Sequence, residues 1–202
     1  MHCALVAIFA LLAVYAQAQN CNGKLSAAVR KTIVDLHNKY RSEVARGIAT
    51  MKGGKKTPQA SNMNKLVYDC QLERETQAWV DKCQKAHSPN SRNASENLYF
   101  AWGGSNTQET HLPRAIASWY SEISKYDASD PQNALTMNMI WAESTLVGCG
   151  FSNTCPDNMV YVACRYRKMG NYLNRSIYKK GAPCRKCESG RGCSAYEGLC
   201  VA

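Results

Sequence analysis

The stretch Ala86-His87-Ser88-Pro89-Asn90-Ser91-Arg92-Asn93-Ala94-Ser95-Glu96-Asn97-Leu98-Tyr99-Phe100 decides how the rest of the chain is read. It ends a helical pattern on an imidazole, breaks the backbone at Pro89, and restarts as an apolar, strand-like run that opens on a carboxylate, Glu96. His87 and Glu96 are thereby expected to face one cavity from two elements. A His that follows a helix is commonly only a cap or a packing residue, so the weight of the pair depends on its surroundings.

Upstream, Ser26 reads as an N-cap, and Val29, Ile33, Leu36, Tyr40 and Val44 follow at steps of three and four, one face of a helix ended by Gly47. Residues 47–64, rich in Gly, Lys, Asn and Ser, read as a loop. A second helix is predicted from about residue 65 to residue 86, with Leu72, Thr76, Trp79 and Cys83 inward. A third is predicted to begin near His111, with Pro113 in its first turn and Ile116, Trp119, Tyr120 and Ile123 buried. Glu122 falls three residues past Trp119, on or beside that buried stripe, where a carboxylate needs partners. From Thr136 the period changes. Residues 137–141, 146–149 and 159–166 are short β-branched and aromatic runs, which with residues 95–101 predict an antiparallel meander. Helices followed by strands predict an α+β fold with helices covering the sheet.

Residues 1–18 carry an apolar run and end in Ala16-Gln17-Ala18, the pattern of a secretory signal, and the run is shorter than the roughly 20 residues that span a bilayer. The expected organisation is a leader at 1–18, one domain at 19–172 and a cysteine-rich tail at 173–202, with no transmembrane anchor. Of the 11 cysteines, Cys3 belongs to the leader. Cys21, Cys70, Cys83, Cys149, Cys155, Cys164, Cys184, Cys187, Cys193 and Cys200 remain, an even set that reads as disulfides in an exported chain. Zinc is the weaker reading of Cys184 and Cys187, because Cys193 and Cys200 are too widely spaced for a knuckle or ribbon. The net charge of +10 is diffuse: Lys52, Lys55 and Lys56 share a loop, and Arg165, Arg167, Lys168, Arg175 and Lys179 belong to a scattered basic C-terminal quarter. Such a surface favours anionic glycans or membranes, and no motif suggests nucleic acid. Asn93 and Asn174 open glycosylation sequons.

Several pieces, in order, resemble the CAP superfamily of cysteine-rich secretory, antigen 5 and pathogenesis-related proteins, most closely its venom-allergen-like, activation-associated secreted members from parasitic nematodes. They are Leu36-His37-Asn38-Lys39-Tyr40-Arg41, Trp79 through Cys83 to His87-Ser88, Ser95-Glu96-Asn97-Leu98-Tyr99, and Trp119-Tyr120 with Glu122. Met139-Ile140-Trp141, Val147-Gly148-Cys149, Tyr161-Val162, Cys164, Tyr166 and Gly170-Asn171-Tyr172 complete the series. The resemblance implies a three-layer α-β-α sandwich with a short disulfide-rich tail, and a cleft lined in the family by two His and two Glu. His87, Glu96 and Glu122 match three of these positions, and Leu135 stands where the second His belongs. A single imidazole with two carboxylates is a poor match for zinc, so weak or absent zinc binding is expected, with no other cofactor. The resemblance also implies Cys149–Cys164, Cys83–Cys155, pairing of the tail cysteines among themselves, and Cys21–Cys70 as the remainder.

A triad needs Ser or Cys beside an oriented base, and an adjacent pair such as His87-Ser88 rarely has that geometry, so a non-enzymatic protein is expected. By resemblance, sterol is attributed to a loop at about residues 150–161, with Phe151, Met159 and Tyr161 as apolar members. Fatty acid is attributed to a groove between the first and third helices, lined by Val29, Ile33, Ile116 and Ile123, which must stay partly uncovered to serve. The leading expectation is a secreted, extracellular lipid-binding protein at a host–parasite interface. Its rival is an immunomodulatory ligand of a host receptor or glycosaminoglycan, with lipid binding incidental.

Overall fold

The computed structural model describes residues 21–89, 94–127, 138–172 and 174–202. The leader, Asn93 and Leu135 lie outside the described residues. Helix α1 (Ala27–Ala45) starts where the Ser26 hydroxyl accepts from the Val29 amide at 3.2 Å, and the chain turns away at Gly47, whose φ of 72° suits a residue without Cβ. Helix α2 (Cys70–Val80) is shorter than expected. Asp69 caps it, accepting from the Leu72 amide at 2.6 Å, because the preceding residues form strand β1 (Val67–Tyr68) instead. Helix α3 (Gln108–Ser121) begins earlier than expected, capped by Thr107, which puts Pro113 in its second turn.

Strands β2 (Ser95–Trp102), β3 (Leu146–Ser152) and β4 (Met159–Arg167) join β1 in one sheet of order β1-β3-β4-β2. The expected antiparallel meander is thus a mixed sheet: β1 runs parallel to β3, with Val67 opposite Leu146. Residues 138–140, expected in a strand, form a 3-10 turn. The reason is Arg41, fully buried, which donates all five N–H groups to carbonyls: Asn64, Met139, Trp141, Ala142 and Ser144, at 2.7 to 3.2 Å. Carbonyls that a strand would offer to a neighbour go to a guanidinium, whose pKa burial lowers to about 9.

Two layers of helix enclose the sheet. On one face α1 and α3 bury Val29, Ile33, Leu112 and Ile116 against Val147, Cys149, Val160 and Val162. On the other, α2 lies with its backbone against β3. A Cβ on Gly148 would stand 2.4 Å from the Glu73 amide nitrogen, and one on Gly150 2.9 Å from Gln77 Cα, so these glycines set the approach. A smaller core of Trp79, Val80, Met159, Tyr161 and Ala163 fills this side. The two-residue period of β4 sorts the two cores, and it sends Arg165 to the α2 side with Tyr161 and Ala163.

Disulfides tie the layers together: Cys21–Cys70 and Cys83–Cys155 at either end of α2, and Cys149–Cys164 between paired strands. In the tail, β5 (Gly192–Ser194) and β6 (Leu199–Val201) form a ribbon closed by Cys184–Cys193 and Cys187–Cys200. The sulfurs of Cys184, Cys187 and Cys200 lie within 4.8 Å of one another, but all are in disulfides and none is a thiolate ligand. The tail is stitched to the body: the Cys200 amide donates to Met63, the Lys65 amide donates to Cys200, and Leu199 is fully buried.

Candidate functional site

Glu96, the second residue of β2, has a side chain only 2% exposed. Its Oε1 accepts from the Ser88 amide at 3.0 Å and lies 3.1 Å from His87 Nδ1, while Oε2 accepts from Arg165 Nε at 2.8 Å. Arg165 is directly opposite Glu96 across the β2–β4 ladder, so strand register alone brings the pair together. The segment carrying His87 is fixed through the Ala86 carbonyl, which accepts from Trp79 Nε1 at 3.0 Å and from the Tyr161 hydroxyl at 3.4 Å. Burial, with the Glu96 carboxylate adding to it, pushes the Tyr161 phenol up to about 12. His87 itself is 66% exposed and reaches the carboxylate from the solvent side.

Behind the carboxylate runs a chain of buried hydrogen bonds. Asn138 Nδ2 donates to the Glu96 carbonyl at 3.2 Å and to Asn97 Oδ1 at 2.8 Å. Asn97 Nδ2 donates to the Tyr166 hydroxyl at 3.4 Å, which in turn meets His37 Nε2 at 2.9 Å. His37 Nδ1 donates to the Ile33 carbonyl at 2.7 Å, so Nε2 of the neutral ring accepts the tyrosine proton. Burial first, and Arg41 as a further cause, lower the His37 pKa to about 4.

The structure joins His87 and Glu96 through one contact. Glu122 is the half-buried C-cap of α3. Arg165, read from sequence as part of a basic surface, is 5% exposed and completes the site, as does Asn138. Neither was singled out, although a charged residue at an inward position of the β4 alternation was a usable signal. Met159 and Tyr161 are buried strand residues rather than loop members, and Phe151 remains half-buried. Val29, Ile33, Ile116 and Ile123 are all at most 5% exposed. The groove expected there is closed, because α1 and α3 pack together and Tyr40 stacks on Tyr120 at 3.9 Å. Asn174 is exposed.

The donor set does not fit zinc. Both oxygens of Glu96 already accept hydrogen bonds, and a dication there would sit beside the buried Arg165 guanidinium. The other described imidazoles are committed elsewhere, His37 to Tyr166 and His111 Nε2 to the Ser105 carbonyl at 2.7 Å.

A disulfide-tied mixed sheet between helical layers, with a His–Glu pair at one strand end, defines the class. Residues 34–166 match the CAP family, described as the cysteine-rich secretory protein family, and the chain belongs to it. It is 31% identical, over 91% of its length, to Ancylostoma secreted protein of Ancylostoma caninum, and spans about half of that relative, 47%. To scoloptoxin SSD552 of Scolopendra dehaani it is 32% identical, covering 87% of this chain and 85% of the relative. Among solved structures, BmVAL-1 aligns with a TM-score of 0.80 at 31% identity, over 90% of this chain and 97% of that one. The structure of NaASP2 with Zn2+ gives 0.80 at 29% identity, over 89% and 98%. No helix among the described residues is long and apolar enough to cross a membrane.

Proposed function

We propose that this chain is a secreted, non-enzymatic lipid carrier acting at a host interface, with a sterol as its first ligand. The observation that supports it is a row of side chains crossing the sheet. Tyr99 and Phe151 flank Val162 from its two neighbouring strands; Val162 is fully buried, and the two flanking residues keep part of their surface exposed. Partly exposed rings beside a closed core are where a rigid apolar ligand gains buried area, at roughly 25 cal/mol per Å². A fatty acid between α1 and α3 requires those helices to part, so sterol comes first. The cleft offers little to catalysis: Glu96 is held by Arg165, and the cysteines at 21–200 are paired in disulfides.

Titration with labelled cholesterol tests the reading. Saturable binding at micromolar protein, weakened about fivefold or more by Phe151→Ala, is the expected result for losing roughly 1 kcal/mol of ring contact. No binding at that concentration sinks it. Surface plasmon resonance against heparan sulfate and host leukocyte proteins addresses the rival reading, which the net charge of +10 favours.

A further inference from the structure

On the α2 face of the edge strand β2, Leu98, Phe100 and Trp102 form one row that emerges toward solvent. Leu98 and Phe100 are half-buried on the smaller core, and Trp102 is 54% exposed. Beyond it, Gly103 and Gly104, at φ 73° and 80°, have nothing within 4 Å of a Cβ position, so the chain stands clear of the body at these two residues. Two cations accompany the rings: Lys82 Nζ lies 5.4 Å from the Trp79 centroid and Lys85 Nζ 5.0 Å from that of Trp102. Nearby acids counter them weakly. Glu96 is held by Arg165, and Asp81 is tied to Lys24 at 2.8 Å, which leaves Asp157 in the turn before Met159.

We propose that this row is a docking face for a membrane surface bearing anionic phospholipid, with Trp102 entering the interfacial layer and Lys82 and Lys85 meeting the phosphates. An indole is an amphipathic ring suited to that layer, and the cation–π contact carries the Lys85 ammonium to the depth of the Trp102 ring. Charge complementarity argues for lipid phosphate as the occupant, since each lysine near an anionic surface is worth about fivefold in affinity and the net charge of +10 adds long-range attraction. The inference is independent of the sterol reading, because it concerns the surface approached and not the cargo.

The test is flotation of the secreted chain with sterol-free phosphatidylcholine vesicles, with and without phosphatidylserine. Expected is binding that requires phosphatidylserine, disappears in high salt, and shifts tryptophan emission to the blue. The shift reports Trp102, since Trp79, Trp119 and Trp141 are at most 7% exposed. Trp102→Ala should weaken binding about tenfold at unchanged charge, and the pair Lys82→Ala/Lys85→Ala about twenty-five-fold at fivefold per lysine. The pair Lys52→Ala/Lys55→Ala, which removes the same charge from another loop, should change it less than about threefold. Binding indifferent to phosphatidylserine or to Trp102→Ala overturns the proposal, as does an equal loss in the Lys52/Lys55 pair. Self-association abolished by Trp102→Ala, without vesicle binding, reassigns the row to a second copy of this chain and likewise overturns it.

Discussion

The two faces of the sheet are held by opposite means. Against α1 and α3, the buried polar groups include a neutral imidazole, a phenol, two strand-side amides and one guanidinium shared among five carbonyls. On the α2 side, charges of both signs are buried as pairs, Glu73 with Arg30 reaching over from α1 and Glu96 with Arg165, around a small core whose outer row stays half open. The first arrangement makes a closed wall. The second leaves a face whose covering is incomplete, and there the chain presents His87, Trp102, Lys82 and Lys85. Stability and recognition are thus divided between the faces, and the free edge at β2 is blunted rather than left as a pairing template. Asn138 takes the Glu96 carbonyl and Trp119 Nε1 takes that of Leu98, at 2.8 Å.

The contrast breaks most easily at Arg41. Arg41→Met removes five hydrogen bonds to carbonyls, of which only Trp141 and Ala142 keep an amide donor, from Ser144 and Asn64, and should cost more than about 4 kcal/mol, seen as lost secretion or a collapsed thermal transition. Arg41→Lys, with three donors, should not restore it. Next, Arg165→Met strands a buried carboxylate and should cost about 3–4 kcal/mol in the denaturant midpoint, whereas adding Glu96→Gln recovers most of that. An equal loss in the double variant means that the pair contributes packing alone.

The pH dependence sharpens the comparison further. His37 titrates near 4 in the folded chain against an ordinary 6.5. Between those values the unfolded chain binds the extra proton, so stability is present above about pH 6.5 and lost as pH falls toward 4, by about 3 kcal/mol over the window. His37→Asn should flatten this part of the denaturation profile. Smallest of all, His87→Ala removes an exposed partner from a carboxylate that Arg165 still holds, and should shift stability by less than about 1 kcal/mol. A larger loss would make His87 part of the frame rather than of the open face.

Much of the frame was legible in the residues. Period and capping placed α1 at Ser26 and closed it at Gly47, and the β4 alternation was plain. The boundaries that moved did so for tertiary reasons: β1 was drawn out of the expected second helix by pairing with β3, and residues 138–140 left the expected strand because Arg41 captured the carbonyls of Met139 and the following Trp141. At the site, sequence order marked His87 and Glu96. Arg165 was misread as surface because a charge in a strand shows its inward face only once the register with β2 is known.

What the sequence by itself determined is the set of local preferences: two-residue and 3.6-residue periods, caps, turn glycines, and an even complement of cysteines, each fixed by backbone sterics and solvation near one residue. What only the tertiary structure decided is which of those preferences yields, and which charges meet. Glu96 and Arg165 are far apart along the chain and face each other because two strands align in one register. Val29, Ile33, Ile116 and Ile123 became core rather than groove because α1 and α3 closed on one another, and burial of apolar area is a property of both surfaces together.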